Sequence, residues 1–202
     1  PRRETLELAW ISATIGPGRG LEDAVLALAR LPETVRLTIF GRMLPSYDPQ
    51  LRALADRAGV SARVMVHPIP NPHDVAATTA RFDVGLSLDL NDCANRSLTI
   101  CNKVFEYLQA GLVVGMTDTP GQREVLETVP RAGFLYPPGD DAALAAQLRP
   151  YVDDYGALVT AQTAAWNAGR GRYNWDHDRD VFLAVFERAA GVRSLAPAGA
   201  SL

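Results

Sequence analysis

"LELAWISATIGPGRGLEDAVLALARL", residues 6–31, decides the fold. Its opening "LELAWISA" is apolar on both faces and predicts a buried strand. A glycine-rich loop follows, and then Leu21, Ala24, Val25, Leu28 and Leu31 recur at helical spacing and form one stripe. Strand, loop and helix repeat outward from there. "VRLTIFG" is the second strand, followed by a helix in "DPQLRALADRAG" with Asp48 as cap and Gly59 as stop. "RVMVHP" is the third strand, and "NPHDVAATTAR" predicts a helix with Pro72 at its first position. "DVGLSL" is the fourth strand and leads into the polar loop "DLNDCANRS". Helix "ICNKVFEYLQA" comes next, closed by Gly111, then strand "LVVGMT", helix "GQREVLETV", strand "GFLYP" and helix "DDAALAAQLRPY".

Apolar strands alternating with helices predict an α/β fold: a doubly wound, Rossmann-like parallel sheet of about six strands. Two further helical segments, Tyr155 to Asn167 and Trp175 to Ala189, have no strand between them and stand as extra C-terminal helices. Residues 1–190 form one domain on this reading. Residues 191–202, "GVRSLAPAGASL", lack periodicity and read as a disordered tail.

Bulk properties narrow the function. A chain of 202 residues matches one domain at roughly 100–200 residues each. The net charge of −3 and the dispersed arginines give no footprint for nucleic acid or an anionic membrane. No apolar run approaches the ~20 residues of a membrane span. Cys93 and Cys101 fit no ligand pattern and read as reduced thiols of a cytoplasmic protein.

Doubly wound sheets bind ligands at the carboxyl ends of their strands. There "GPGRG" invites comparison with a nicotinamide fingerprint, but Leu21 stands where a third glycine belongs, and the second strand ends in Phe40-Gly41 without an acid. The glycines still permit close backbone approach to an anion, with Arg19 entering at a helix start. A tight turn with a solvated arginine accounts for the same residues equally well. A phosphoacceptor receiver is excluded because "ISATIG" and "VMVHP" lack its aspartates. "GLSLD" lacks the second glycine of a hydrolase elbow. "DHD" at 176–178 suits helix capping better than metal binding. His67, His73 and His177 have no ligand spacing, and His67 is open to a site or a packing role.

The single lysine is more informative. Nineteen basic residues are arginine and one is Lys103, in "LTICNKVFEYLQAG". This helix is expected to carry Thr99, Asn102 and Lys103 in its first turn, with Glu106 on the face of Asn102. First-turn amides and Lys103 suit phosphate, and Glu106 suits sugar hydroxyls. An ordinary Lys103–Glu106 surface pair, with Thr99 as a plain cap, is the alternative that these residues leave open.

"NKVFEYLQAGLVVGMTDTPGQREVLE", "GFLYPPGDDAALAAQL" and "YNWDHDRDVFLAVFER" resemble the donor-binding C-terminal domain of retaining, family-4-type glycosyltransferases of the GT-B fold, the glycosyl transferases group 1. The likeness covers nearly the whole chain, and "NKVFEYLQAGLVV" is its most specific part. It implies a nucleotide-sugar donor, with Glu106 on the ribose and Arg19 neutralising the diphosphate. It further implies that Gly16, Gly18 and the turn after Asp118 let the backbone approach the donor. Gly41, Asn102 and Thr99 complete the expected donor-binding set. No metal or cofactor is expected, because Arg19, Lys103 and helix amides supply the positive charge. The acceptor domain would lie in an N-terminal half that this chain lacks, which leaves the fragment inactive alone. Two positions depart from the family: Leu98 replaces a glutamate that contacts the sugar, and Thr14 replaces a basic residue. A degenerate, non-catalytic domain that binds nucleotide or a protein partner is therefore the competing expectation.

Overall fold

The computed structural model describes residues 4–191. Its strands are β1 (Leu6–Ile15), β2 (Val35–Met43), β3 (Val64–His67), β4 (Val84–Ser87), β5 (Val113–Thr117) and β6 (Gly133–Tyr136). Its helices are α1 (Leu21–Ala29), α2 (Asp48–Arg57), α3 (Val75–Thr79), α4 (Ala94–Leu98), α5 (Asn102–Ala110), α6 (Pro120–Thr128), α7 (Asp141–Asp153), α8 (Tyr155–Gly171) and α9 (Trp175–Ala190). The six strands form one sheet in the order β3-β2-β1-β4-β5-β6, and every pairing is parallel. This is the doubly wound α/β architecture expected from the alternation, with extra C-terminal helices.

Each face of the sheet buries its own core. Leu8, Trp10, Leu37 and Ile39 point to one side and pack with Leu21, Val25 and Leu28 of α1 and Leu144 and Leu148 of α7. Ile11, Phe40, Val114 and Met116 point to the other and pack with Val104, Tyr107 and Leu108 of α5. β4 and β5 are buried at every residue, because helices cover both faces there. β3 is an edge strand, and its Val66 and His67 are exposed.

Some local readings need correction. Asp48 does not cap α2; it is the first helical residue, and its carboxylate instead holds Arg52 at 2.9 Å. The helix expected over 71–81 shrinks to a tight 3-10 turn at Pro72–Asp74 followed by α3. β-branched Val75, Thr78 and Thr79 disfavour a longer helix, and the Thr79 hydroxyl bonds back to the Val75 carbonyl at 2.6 Å. The polar loop after β4 contains α4. The helix expected to stop at Asn167 runs to Gly171, because Gly169 lets α8 cross α5: a Cβ there would lie 2.6 Å from Gln109 Cα. α9 stands clear of the body, and none of its residues is buried. Gly191 caps it; the rest of the expected disordered tail, 192–202, lies outside the described residues.

Candidate functional site

The strand order reverses between β1 and β4. In a doubly wound sheet this opens a crevice at the carboxyl ends of those two strands. The loop after β1 (16–20) and the connection from β4 to α5 (88–101) therefore face each other. They are in contact. Gly20 has φ 71°, and a Cβ on it would fall 2.3 Å from the Leu88 carbonyl oxygen, so only glycine fits both the backbone and the space. Arg96 Nη1 donates to the Gly18 carbonyl at 3.1 Å and reaches Asp92 at 2.7 Å, stapling the two walls together.

α1 starts at this loop without a side-chain cap, so its first amides are open to a ligand. Its own acids are turned away. Glu22 accepts from the Tyr47 hydroxyl at 2.7 Å, while Asp23 accepts from the Gly139 amide at 2.8 Å and the Tyr136 hydroxyl at 3.1 Å. Burial raises the Asp23 pKa above its ordinary 3.8, opposed in part by the two hydrogen bonds. Arg19 is exposed, and its side chain has no hydrogen bond or ion pair among the described residues.

On the facing wall α5 is fixed by Tyr107. Its ring lies on Gly85 of β4, where a Cβ would come within 2.2 Å of the ring. Its hydroxyl accepts from the Ile11 amide at 3.1 Å and donates to the Leu86 carbonyl at 3.3 Å. The β1–β4 ladder pairs Leu8 with Val84 and Ala9 with Gly85, so the hydroxyl sits where the two strands part. Burial drives the Tyr107 pKa far above its ordinary 10.0.

So anchored, α5 presents Lys103 and Glu106. Lys103 Nζ lies 4.8 Å from the ring centre of buried Trp10 on β1, a cation–π contact, and it forms no ion pair with Glu106. Glu106 and Asn102 are exposed, with no side-chain partner among the described residues. The surface-pair alternative is not what the structure shows.

The other expected site residues are arranged differently. Thr99 is not in the first turn of α5. It ends α4, with its hydroxyl on the Asn95 carbonyl at 2.6 Å, and the uncapped start of α5 follows Cys101. Gly41 is buried in strand packing, where a Cβ would meet the Ser12 carbonyl at 2.5 Å. Gly16 lies against Leu44, and Asp118 is held by Arg123 at 2.6 Å. His67 stacks on Phe40 at 5.6 Å, in agreement with its packing role. Asn174 caps α9 by accepting from the His177 amide at 2.9 Å, so "DHD" forms the first turn rather than the cap.

Sequence reasoning missed Tyr107, Trp10 and Arg96. Of these only Tyr107 has a signal, as the last residue of "NKVFEY". Among the described residues, no group of three or more His, Cys, Asp or Glu could hold a metal ion, and no helix is long and apolar enough to cross a membrane. A cavity of 510 Å3 lined by Leu6, Thr34, Tyr151 and Leu158 opens at the opposite, amino edge of the sheet.

A parallel six-stranded sheet with this order, with a glycine loop leading into a helix at its reversal, defines a Rossmann-like domain, and the match to the family model and to solved structures makes it one of GT-B type. The family model described as Glycosyl transferases group 1 matches residues 8–154, and the chain belongs to that family. No curated protein resembles it closely enough to count as a relative. Among solved structures it is similar to sucrose-phosphate synthase from Thermosynechococcus elongatus, with TM-score 0.79 and 15% identity, over 94% of this chain and 47% of that one. It is similar to Anabaena HepE, solved in complex with UDP, with TM-score 0.80 and 19% identity, over 92% of this chain and 49% of that one. The C-terminal domain of the group 1 family protein LpcC from Francisella tularensis gives TM-score 0.69 and 12% identity, over 84% of this chain and 87% of that one. The chain thus spans about half the length of the first two.

Proposed function

We propose that residues 1–190 are the donor-binding half of a glycosyltransferase that moves a hexose-type sugar from a nucleoside diphosphate, with retention, to an acceptor held by an N-terminal domain outside this chain. One observation carries the reading. At the reversal of strand order the loop leading into uncapped α1 meets the connection leading into uncapped α5, with Arg19, Lys103 and Glu106 free of any carboxylate or cation partner among the described residues. The UDP complex of Anabaena HepE, a structure of the same fold, supports it.

Each residue then has a role. Gly16 and Gly18 let the diphosphate lie on the backbone, and Arg19, Lys103 and the first amides of α1 and α5 meet its charge. Glu106 accepts from the ribose hydroxyls, with Asn102 beside it. Asp118, at the end of β5, flanks the donor, whereas Gly41 and Thr99 act within the fold, Gly41 by letting β2 close on the Ser12 carbonyl and Thr99 by closing α4. As the bond from the sugar to the diphosphate breaks, negative charge grows on the leaving group, and fixed cations that need no reorganisation stabilise it. The reaction on this reading uses no metal and no cofactor. Positioning an acceptor against the donor is worth about 7–11 kcal/mol, so the chain alone is expected to bind without turnover. Its two free thiols, Cys93 exposed and Cys101 half-buried, suit a cytoplasmic enzyme.

Calorimetry with uridine and guanosine diphosphates tests the reading. One of them should bind, and saturating concentrations of both without heat or shift would refute it. A second reading, a non-catalytic nucleotide- or partner-binding domain, draws on Leu98, which is 70% exposed, and on uncharged Thr14. Nucleotide binding without sugar transfer by the complete two-domain enzyme would favour it.

A further inference from the structure

Arg42 ends β2 in a position that the strand pairing fixes closely. The β1–β2 ladder breaks step between Ile11 and Thr14, then resumes with Thr14 opposite Arg42 and Ile15 opposite Met43. Residues paired across parallel strands project to the same side of a sheet, so Arg42 flanks Thr14, two residues before the glycine loop. Gly41 makes this possible, because without a Cβ β2 closes onto the Ser12 carbonyl at the break. The Leu44 amide then reaches the Ile15 carbonyl at 2.9 Å and holds β2 against the base of the loop. Phe40, two residues earlier and so on the same face as Arg42, packs in the core that contains Val104 and Tyr107 of α5. Arg42 therefore belongs to the side of the sheet that α5 covers.

Its charge is unspent. Of the basic residues at the carboxyl edge, Arg96 is paired with Asp92 and Arg123 with Asp118. Arg42 is exposed and has no side-chain partner among the described residues. The nearest acid along the chain, Asp48, is engaged with Arg52. Thr14 itself is uncharged.

We propose that Arg42 is a diphosphate-binding residue, the cation that the β1–β2 register sets beside Thr14 at the mouth of the glycine loop. The proposal rests on the nucleotide-sugar reading above. A guanidinium offers a planar fork of donors that suits phosphate oxygens. Its place at the end of a strand, rather than in a loop, means that only the side chain and not the backbone has to be ordered on binding.

The test is calorimetry of uridine diphosphate, guanosine diphosphate and plain uridine against the unsubstituted protein, Arg42→Ala, and Thr14→Arg combined with Arg42→Ala. Arg42→Ala should lose about ten- to hundredfold in affinity for the diphosphate that binds. Its affinity for uridine and its melting temperature should be unchanged, because the side chain is exposed. The double variant, with the cation moved one strand across, should recover most of the loss, which a residue acting only through the fold would not allow. Diphosphate affinity left intact in Arg42→Ala overturns the proposal while the nucleotide-sugar reading stands, and so does an equal loss for uridine. Failure of the unsubstituted protein to bind either diphosphate removes the reading and the proposal with it.

Discussion

Replacing Tyr107 with phenylalanine removes one oxygen atom from the point where β1 and β4 separate. The ring stays on Gly85, so no cavity of consequence opens. The Ile11 amide and the Leu86 carbonyl, 3.1 and 3.3 Å from that oxygen, both lose their partner. Ile11 is buried, and water has no ready route to its amide. A buried donor left unsatisfied costs about 1–3 kcal/mol. At roughly 2–4 °C per kcal/mol for a chain of this size, the melting temperature should fall by roughly 2–12 °C. Amide hydrogen exchange should place the damage: Ile11 should exchange faster, while amides in the middle of β5 stay protected. A melting temperature within 1 °C of the parent, with Ile11 still protected, would refute the reasoning. It would mean that the strands bond to each other once the hydroxyl is gone, so that it holds nothing apart.

Glu106→Gln should weaken nucleoside diphosphate binding about tenfold at unchanged melting temperature, since the exposed carboxylate makes no hydrogen bond or ion pair among the described residues; calorimetry beside a thermal melt checks both. Lys103→Arg should impair binding nearly as much as Lys103→Ala. The compact ammonium lies 4.8 Å from the Trp10 ring centre, and a wide planar fork would carry its charge differently at this helix start, so parent-like affinity in the arginine variant would return Lys103 to a solvated face. Asp23 gives a pH dependence of definite sign. Its folded pKa is raised, so the native state binds the extra proton, and stability falls as pH rises from its ordinary 3.8 through the raised value. Asp23→Asn keeps an acceptor for Gly139 and Tyr136 and should lose that component. Denaturant titrations across acidic to neutral pH should show a flatter profile for the variant.

The alternation of apolar runs with helical stripes was enough to read the six-stranded parallel fold, because strands buried on both faces cannot disguise themselves. Strand order was not readable, since periodicity says which residues are buried and not beside which strand. α4 escaped because four small or polar residues and one exposed leucine, with no buried face, leave no period. Asp48 and Thr99 were misplaced by one turn or less. Both are good capping residues, and composition cannot say whether such a residue sits just before a helix or just inside it. The glycine loop and "NKVFEY" pointed to the site from sequence. Tyr107 did not declare its hydroxyl, because its partners lie 96 and 21 positions away and an aromatic at that spacing looks like ordinary core. Arg42 was hidden for the same reason, its meaning resting on a register between strands.

α9 has a practical consequence for handling the protein. Trp175, Phe182 and Phe186 are 66%, 59% and 59% exposed, and the two phenylalanines stack on each other at 6.3 Å. No residue of the helix is buried, so its apolar side supplies no residue to either core. At high concentration that side is the adhesive surface of the molecule, favouring self-association and precipitation over a clean monomer. Tyr173 marks where the useful packing stops, since its ring meets Phe105 at 5.2 Å. A chain shortened to end at Asn174 loses no buried residue among those described and should stay dispersed at concentrations where the longer one clouds.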